Sequence, residues 1–289
     1  MGAATDCVVI GGGVNGLLTA RELASPGCAV TLIERGGIGR EASWAAGAIL
    51  SPLYPWRQPA AVTALAKVSE DMYPDLITSL HEETGIDPEW LASGFLILDA
   101  GEADAAGHWA VQTRTPLEVV TPEHARELEP ALGACGTPVI WLPRMHQIRP
   151  PRFIRALHES VRRAGVDIRE ETTVTDLIHR QGRIQGVQTS RGYWPAACVV
   201  VAAGAWSGEL LRPLNLHTTV EPVRGQMVLL RARPGTLRRI VLRDGRYVIP
   251  RREGAVVAGS TLENTGFDQS TTAAARLCAR GGCGRASRA

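Results

Sequence analysis

No apolar stretch in the 289 residues approaches the ~20 consecutive residues that a membrane-spanning helix requires, so a membrane protein is not expected. An excess of one charge is also missing. The 31 Lys and Arg face 29 Asp and Glu, a formal net charge of +2, which gives no electrostatic argument for nucleic acid. The six cysteines (Cys7, Cys28, Cys135, Cys198, Cys278 and Cys283) form no C-x-x-C pair. They read as free thiols, with Cys7 and Cys198 as small buried hydrophobes in strands, rather than as disulfides or ligands. No metal site is expected, and the reduced thiols point to the cytoplasm. The opening Met1 to Asp6 is short and polar, so no secretory leader is expected. No Ser–His–Asp or paired-carboxylate constellation stands out. What remains is an ordinary globular composition, 45% hydrophobic and 21% charged, long enough for two domains.

What is present is concentrated near the N-terminus. Cys7 to Ile10 reads as a short buried strand, and Gly11-Gly12-Gly13-Val14-Asn15-Gly16 fits G-x-G-x-x-G. Helical sequence follows with Ala20 and Leu23 on one face. Gly27 stops it, and Ala29 to Ile33 forms a second apolar strand ending in Glu34. Gly11 permits the tight turn, Gly13 lets backbone approach a pyrophosphate, and Gly16 lets the helix pack on the strand. The first helical N–H groups and the positive end of the helix dipole suit phosphate. Glu34 stands about 20 residues on, where a ribose-binding carboxylate belongs. A glycine-rich turn alone is a weak sign; strand, glycines, helix, strand and acid in this order point to a dinucleotide site. The small residues from Arg35 to Gly47 then let a flat ligand lie against backbone N–H groups.

Further along, residues 63–84 carry helical periodicity, with Leu65, Val68, Met72, Leu76 and Leu80 on one side and Pro74 set to kink or divide the helix. Thr121 and Pro122 are a helix start, and Phe153 to Ala164 a helix with Ile154, Leu157 and Val161 inward. Cys198 to Val201 is a continuous apolar run, the pattern of a central parallel strand covered on both faces. From Pro222 the chain is strand-rich, with Val223 to Leu230 a long strand and Asp244-Gly245 and Glu253-Gly254 as hairpin turns. The expected fold is α/β: a Rossmann-like nucleotide-binding domain with a parallel sheet (1–85 and 145–220), plus a mixed α+β domain with an antiparallel sheet (86–144 and 221–268).

Together these segments resemble the D-amino-acid-oxidase-like flavoproteins. The resemblance rests on Gly11 to Gly16, Ala20, Leu23, Gly27, Val30 and Glu34, and on the Arg40 to Ala48 loop. Val201 to Ser207, Pro222 to Gln226, Arg246 to Arg251 and Val257 to Thr261 complete it, over residues 5 to about 270. It implies FAD rather than NAD, so that the two domains become an FAD-binding and a substrate domain. It implies that Glu34 binds the adenosine ribose and that Val14 and Asn15, with Gly11, Gly13 and Gly16, lie under the pyrophosphate. Arg35, Glu41, Ala42 and Ser43 continue the cofactor groove, Ala46, Gly47 and Ala48 run along the flavin, the backbone of Val174 holds the adenine edge, and Gly204 joins the cofactor set. Tyr247 aligns with a tyrosine whose hydroxyl faces the substrate carboxylate; on its own, a Tyr between Arg246 and Val248 reads as a packed aromatic.

The implied reaction is oxidation of glycine or another small amino acid or secondary amine. A hydride leaves the α-carbon for flavin N5, the imine hydrolyses or feeds thiazole synthesis for thiamine, and O2 becomes H2O2. The flavin carries the hard chemistry, and no side-chain base is needed if the amine binds neutral. The implied partners are the amine substrate and O2, with self-association a habit of the family.

The chain departs from the family at its end. Residues 269–289 read as an aberrant or disordered tail; from Ala273, thirteen of seventeen residues are Ala, Gly or Arg and none is acidic. A basic tail and an out-of-frame reading are both open, the second preferred because the fold before it looks unfinished. The family's G-L-R-P and H-x-R-N-G segments, which carry an arginine for the substrate carboxylate and one near the flavin, do not occur. Arg243, Arg246, Arg251 and Arg252 are expected to be solvated rather than to replace them. Losing such a clamp costs several kcal/mol, so weak turnover and poor FAD retention are expected. The alternatives are a sarcosine- or dimethylglycine-type oxidase or dehydrogenase, a non-catalytic nucleotide-binding remnant, and an NAD-dependent dehydrogenase.

Overall fold

The structure, a computed structural model, describes residues 5–24, 27–135 and 138–274. Most of the 269–289 segment, and with it Cys278 and Cys283, lies outside the described residues. In chain order the main elements are β1 (Thr5–Ile10), α1 (Val14–Ala24), β2 (Val30–Ile33), α2 (Ala42–Ala45), α3 (Ala60–Thr84), β3 (Leu91–Ala92) and β4 (Phe95–Ile97). Then come α4 (Ala103–Thr113), β5 (Glu118–Val120), α5 (Pro122–Leu128), β6 (Val139–Leu142), β7 (His146–Gln147), α6 (Pro150–Arg163) and β8 (Asp167–Arg169). The last are β9 (Val174–Arg180), β10 (Arg183–Thr189), β11 (Gly192–Val201), α7 (Ser207–Leu211), β12 (Met227–Arg231), β13 (Ile240–Arg243), β14 (Arg246–Pro250) and β15 (Ala255–Gly259). Among the described residues no helix is long and apolar enough to cross a membrane.

The chain divides into two compact units. The first comprises Met1–Ala46, Ile77–Pro88 and Pro150–Pro222; the second comprises Gly47–Leu76, Glu89–Arg149 and Val223–Ala289. Residues 47–76, read above as nucleotide-domain sequence, therefore belong with the second unit. The division falls inside α3, which runs unbroken through Pro74. A proline removes one backbone hydrogen bond, and a 25-residue helix survives that loss. The predicted apolar side of α3 is only partly used. Leu80 and Ile77 are buried, while Leu65, Val68 and Met72 are exposed.

The first unit holds a six-stranded sheet in the order β8-β2-β1-β11-β10-β9. β8, β2, β1 and β11 run parallel, and β10 and β9 add an antiparallel edge. Gln181 and Gly182, both in the left-handed region, make the tight β9–β10 hairpin. Val8, Val9, Leu32 and Ile33 are almost wholly buried, as a strand covered on both faces demands. α6 turns Phe153, Ile154, Leu157 and Val161 inward. The end of β11 does not meet expectation. Cys198 is exposed, while Val199, which points to the opposite face, is partly buried against the core of this unit with Val201, so only one face is covered there. Cys198 is thus not a buried hydrophobe, whereas Cys7 is, its thiol pushed up to about 12 by burial and then by the neighbouring Cys198.

The second unit holds a seven-stranded sheet, β12-β15-β14-β13-β4-β6-β5, and a small β3-β7 pair. It is mixed rather than purely antiparallel, because β13 lies parallel to β4. β13 reaches β4 after a long excursion rather than through a hairpin, which frees it from antiparallel pairing. Phe95, Ile97, Ile140, Leu142, Ile240, Leu242 and Ile249 form the main core. β12 is shorter than the predicted Val223 to Leu230; Val223 to Gln226 is a loop, bridged at Arg224 to Glu263. The first residues of the expected tail make contacts with this unit. Ser270 accepts from the Arg224 guanidinium, and the Thr272 amide donates to the Gln226 side chain at 2.8 Å, so residues up to Thr272 pack on this unit.

Candidate cofactor and substrate site

The first unit builds its site at the ends of β1, β2 and β11. Main-chain bonds from Gly11 to Ile33 (2.9 Å) and from Ala202 to Ile10 (2.8 Å) hold the three strand ends together. Gly11 has φ +108°, and a Cβ there would lie 2.4 Å from the Ala202 carbonyl oxygen. A Cβ on Gly16 would lie 1.8 Å from the Gly11 carbonyl oxygen, so α1 can start beneath the turn only without a side chain. Gly13 differs: within 4 Å its added Cβ would meet only the Ser43 hydroxyl oxygen, at 3.2 Å.

Glu34 and Ser43 complete this site. Glu34 accepts from the Gly12 amide at 2.6 Å and from the Gly36 amide at 2.9 Å, one bond to each carboxylate oxygen. Each oxygen keeps a lone pair for a hydroxyl donor. Ser43, on the four-residue α2, accepts the Val14 amide at 2.9 Å. That bond occupies a free N–H at the start of α1 and leaves the serine O–H to donate to an anion. Asn15 and Gly16 follow on the same helical turn. Arg35 pairs with Glu41 at 2.6 Å, and its guanidinium lies 3.6 Å from the Trp206 ring centre. Trp206 is reached through the 3-10 turn that starts at Gly204, where φ is +54°. Ala42 opens α2 and Ala46 caps it; Val174 is the buried first residue of β9, opposite Thr189. The bare glycine turn, the helix amides and the fixed carboxylate suit a diphosphate joined to a ribose, and FAD fits that donor set.

The second unit holds Gly47, Ala48 and Tyr247. Tyr247 lies on β14, half-buried, and its hydroxyl donates to the Met227 sulfur at 3.0 Å. A Cβ on Gly47 would lie 3.1 Å from that hydroxyl oxygen and 3.0 Å from Ile249 Cδ1, so the bare glycine backbone is what lets the two come together. Ala48 occupies the left-handed region at φ +53°, unusual for a residue with a side chain. Its carbonyl accepts the Ile148 amide at 3.2 Å.

Of the four arginines expected in solvent, Arg243, Arg246 and Arg252 are exposed. Arg251 is not: it is only 7% exposed. Its Nη1 donates to Gln147 Oε1 at 2.7 Å and to the Ile148 carbonyl at 2.8 Å, and its Nη2 donates to the Gly47 carbonyl at 2.8 Å. Burial, and then the nearby Arg149 charge, bring its pKa down to about 10. Strand alternation carried the signal that was missed. Tyr247, Ile249 and Arg251 are two apart, and Ile249 is fully buried. Likewise, no sequence rule flagged the bond from Gly12 to Glu34, although Gly12 is crowded in its own right: its added Cβ would come 2.5 Å from Ile38.

A family model described as FAD dependent oxidoreductase matches residues 6–282. A glycine oxidase of Pseudomonas aeruginosa is 48% identical over 266 residues, which cover 92% of this chain and 73% of that protein. A glycine oxidase of Pseudomonas putida is 44% identical over 267 residues, with the same two coverages of 92% and 73%. Among solved structures, the glycine oxidase of Geobacillus kaustophilus superposes with a TM-score of 0.88 at 28% identity, covering 96% of this chain and 76% of that one.

Proposed function

The chain belongs to the family of FAD-dependent oxidoreductases, and from that premise we propose that it oxidises glycine or a similarly small amino acid or secondary amine, with O2 as the final acceptor. The observation that carries this reading is the meeting of the Tyr247 hydroxyl with the side-chain-free Gly47. A substrate wall of main chain and one phenol suits a small molecule with a carboxylate to anchor. The likeness to glycine oxidases gives the substrate its name.

Gly11, Gly13, Val14, Asn15 and Gly16 hold the FAD pyrophosphate, with Ser43 passing its hydroxyl proton into a hydrogen bond to a phosphate oxygen. Glu34 takes the ribose hydroxyls, while Arg35, Glu41, Ala42 and Gly204 border the groove and Val174 meets the adenine edge. Ala46, Gly47 and Ala48 line the flavin. Bound FAD supplies the two-electron acceptor that the protein's own side chains lack. The Tyr247 hydroxyl orients the substrate. Its present acceptor is a thioether, which is weak, so turning to a carboxylate gains a stronger, charge-assisted bond. The substrate amine reacts in its neutral form, and its imine product is of the kind that thiazole synthesis for thiamine consumes. Arg251 is committed to two carbonyls and Gln147 and is not the group that takes the substrate carboxylate.

The test is the purified 289-residue chain. Flavin absorbance with peroxide release from glycine supports the reading. Preference for sarcosine, or electron transfer to an artificial acceptor without oxygen uptake, would move it to the sarcosine-type oxidases or to the dehydrogenases. A colourless protein with no added-FAD binding would refute it.

A further inference from the structure

We propose that Arg251 is a positioning residue that fixes the Gly47–Ala48 main chain for the cofactor, rather than a solvated strand end or a substrate clamp. The proposal rests on the reading above that this main chain lines the flavin. Three observations on the second unit carry it.

The first is the pattern of partners. A buried guanidinium is costly unless its donors are met. Here they are met by neutral acceptors drawn from two segments, Gly47 on one side and Gln147 and Ile148 on the other. The nearby carboxylates of Glu89 and Glu253 are engaged by Arg149 at 3.2 and 2.8 Å. Among the described residues Arg251 makes no ion pair of its own, so charge neutralisation is not what placed it there. Its planar fork spans two chain segments at once, a geometry that an ammonium lacks.

The second is the segment it holds. Ala48 sits in the left-handed region, which a residue with a Cβ keeps only when its surroundings impose it. Gly47 and Ala48 are fastened through consecutive carbonyls, the first by Arg251 and the second by the Ile148 amide. The third is the support behind the fork. Gln147, fully buried, donates to Ser93 Oγ at 2.6 Å while its other amide atom accepts from Arg251. Ser93, Gln147, Arg251 and Gly47 thus form one chain of hydrogen bonds, buried up to its part-exposed Gly47 end, and such a chain holds its members in a single arrangement. On the same face Ile249 and Tyr247 contact Gly47, so the fork also sets the floor beneath the tyrosine hydroxyl.

Arg251→Met and Arg251→Lys test this, read by FAD affinity from flavin fluorescence quenching and by the visible absorption bands of the loaded protein. The expected result for Arg251→Met is an FAD affinity about tenfold lower, with shifted or broadened flavin bands. Arg251→Lys, which keeps charge but not the fork, recovers only part of both. Gln147→Met keeps the Gly47 bond and gives a smaller change of the same kind; it serves if Arg251→Met does not fold. Should these variants melt earlier yet bind FAD with wild-type affinity and an unaltered spectrum, Arg251 is merely structural and the proposal falls. A wild-type chain that binds no FAD removes the reading beneath it, an outcome distinct from normal binding in the variants.

Discussion

A methyl group added at Gly13 or at Gly16 separates the fold from the cofactor. The two glycines lie three residues apart at the start of α1, and their surroundings differ. At Gly16 the new Cβ would lie 1.8 Å from the Gly11 carbonyl oxygen, well inside the roughly 3.3 Å at which carbon and carbonyl oxygen make contact. The obstacle is backbone, so α1 must move off the turn, at about 1–3 kcal/mol or more for forced overpacking. At Gly13 the only neighbour is Ser43 Oγ at 3.2 Å, which can give by a few tenths of an ångström while weakening its bond to Val14. That costs under about 1 kcal/mol. On the proposed placement the same methyl stands where the pyrophosphate approaches, and about 1.4–2.8 kcal/mol of lost contact there would be a 10- to 100-fold weaker FAD affinity. Gly13→Ala should therefore melt like the wild type without FAD and lose the rise in melting temperature that FAD gives. Gly16→Ala should melt early with or without it. A Gly13→Ala protein that binds FAD at full strength would refute the placement of the pyrophosphate.

Other consequences follow from the same contacts. Glu34→Gln keeps one acceptor oxygen but sets an NH2 against one of the two amides; FAD affinity measured by fluorescence titration should fall by about 1–3 kcal/mol. Tyr247→Phe loses only a bond to a thioether, so melting should shift by less than about 1 kcal/mol while KM for glycine rises, as initial-rate peroxide assays will show. Glu263 is held down to about 2 by the Thr261 hydroxyl, then by Arg224 and Gln226, against an ordinary 4.5. A carboxyl depressed in the folded state contributes stability above pH 4.5 and loses it as pH falls from 4.5 towards 2. Glu263→Gln should flatten the pH dependence of melting in that window, and an unchanged acid profile would contradict the network.

The strand–helix–strand opening was legible because its signals are local. Glycine spacing, a helix start and an acid at fixed distance all lie between Cys7 and Glu34, and the strands and helix form there as spacing requires. α5 shows the same: Thr121 caps it through the His124 amide, with Pro122 at its first position. What was not legible depends on contacts remote in sequence. Whether Leu65 or Cys198 is covered turns on elements far along the chain, so an apolar pattern alone placed both inside. Arg251 was misplaced because burial of a charge needs partners, and its partners lie at 47 and 147–148. The parallel β13–β4 pairing crosses more than a hundred residues and leaves no local trace.

The most direct test is a structure of the chain with FAD bound. The account predicts the pyrophosphate over Gly11 to Gly16 with a phosphate oxygen accepting from Ser43, and the ribose hydroxyls on the Glu34 carboxylate. Density for the pyrophosphate at any other place, or a Glu34 carboxylate that faces only protein amides with FAD present, would contradict it.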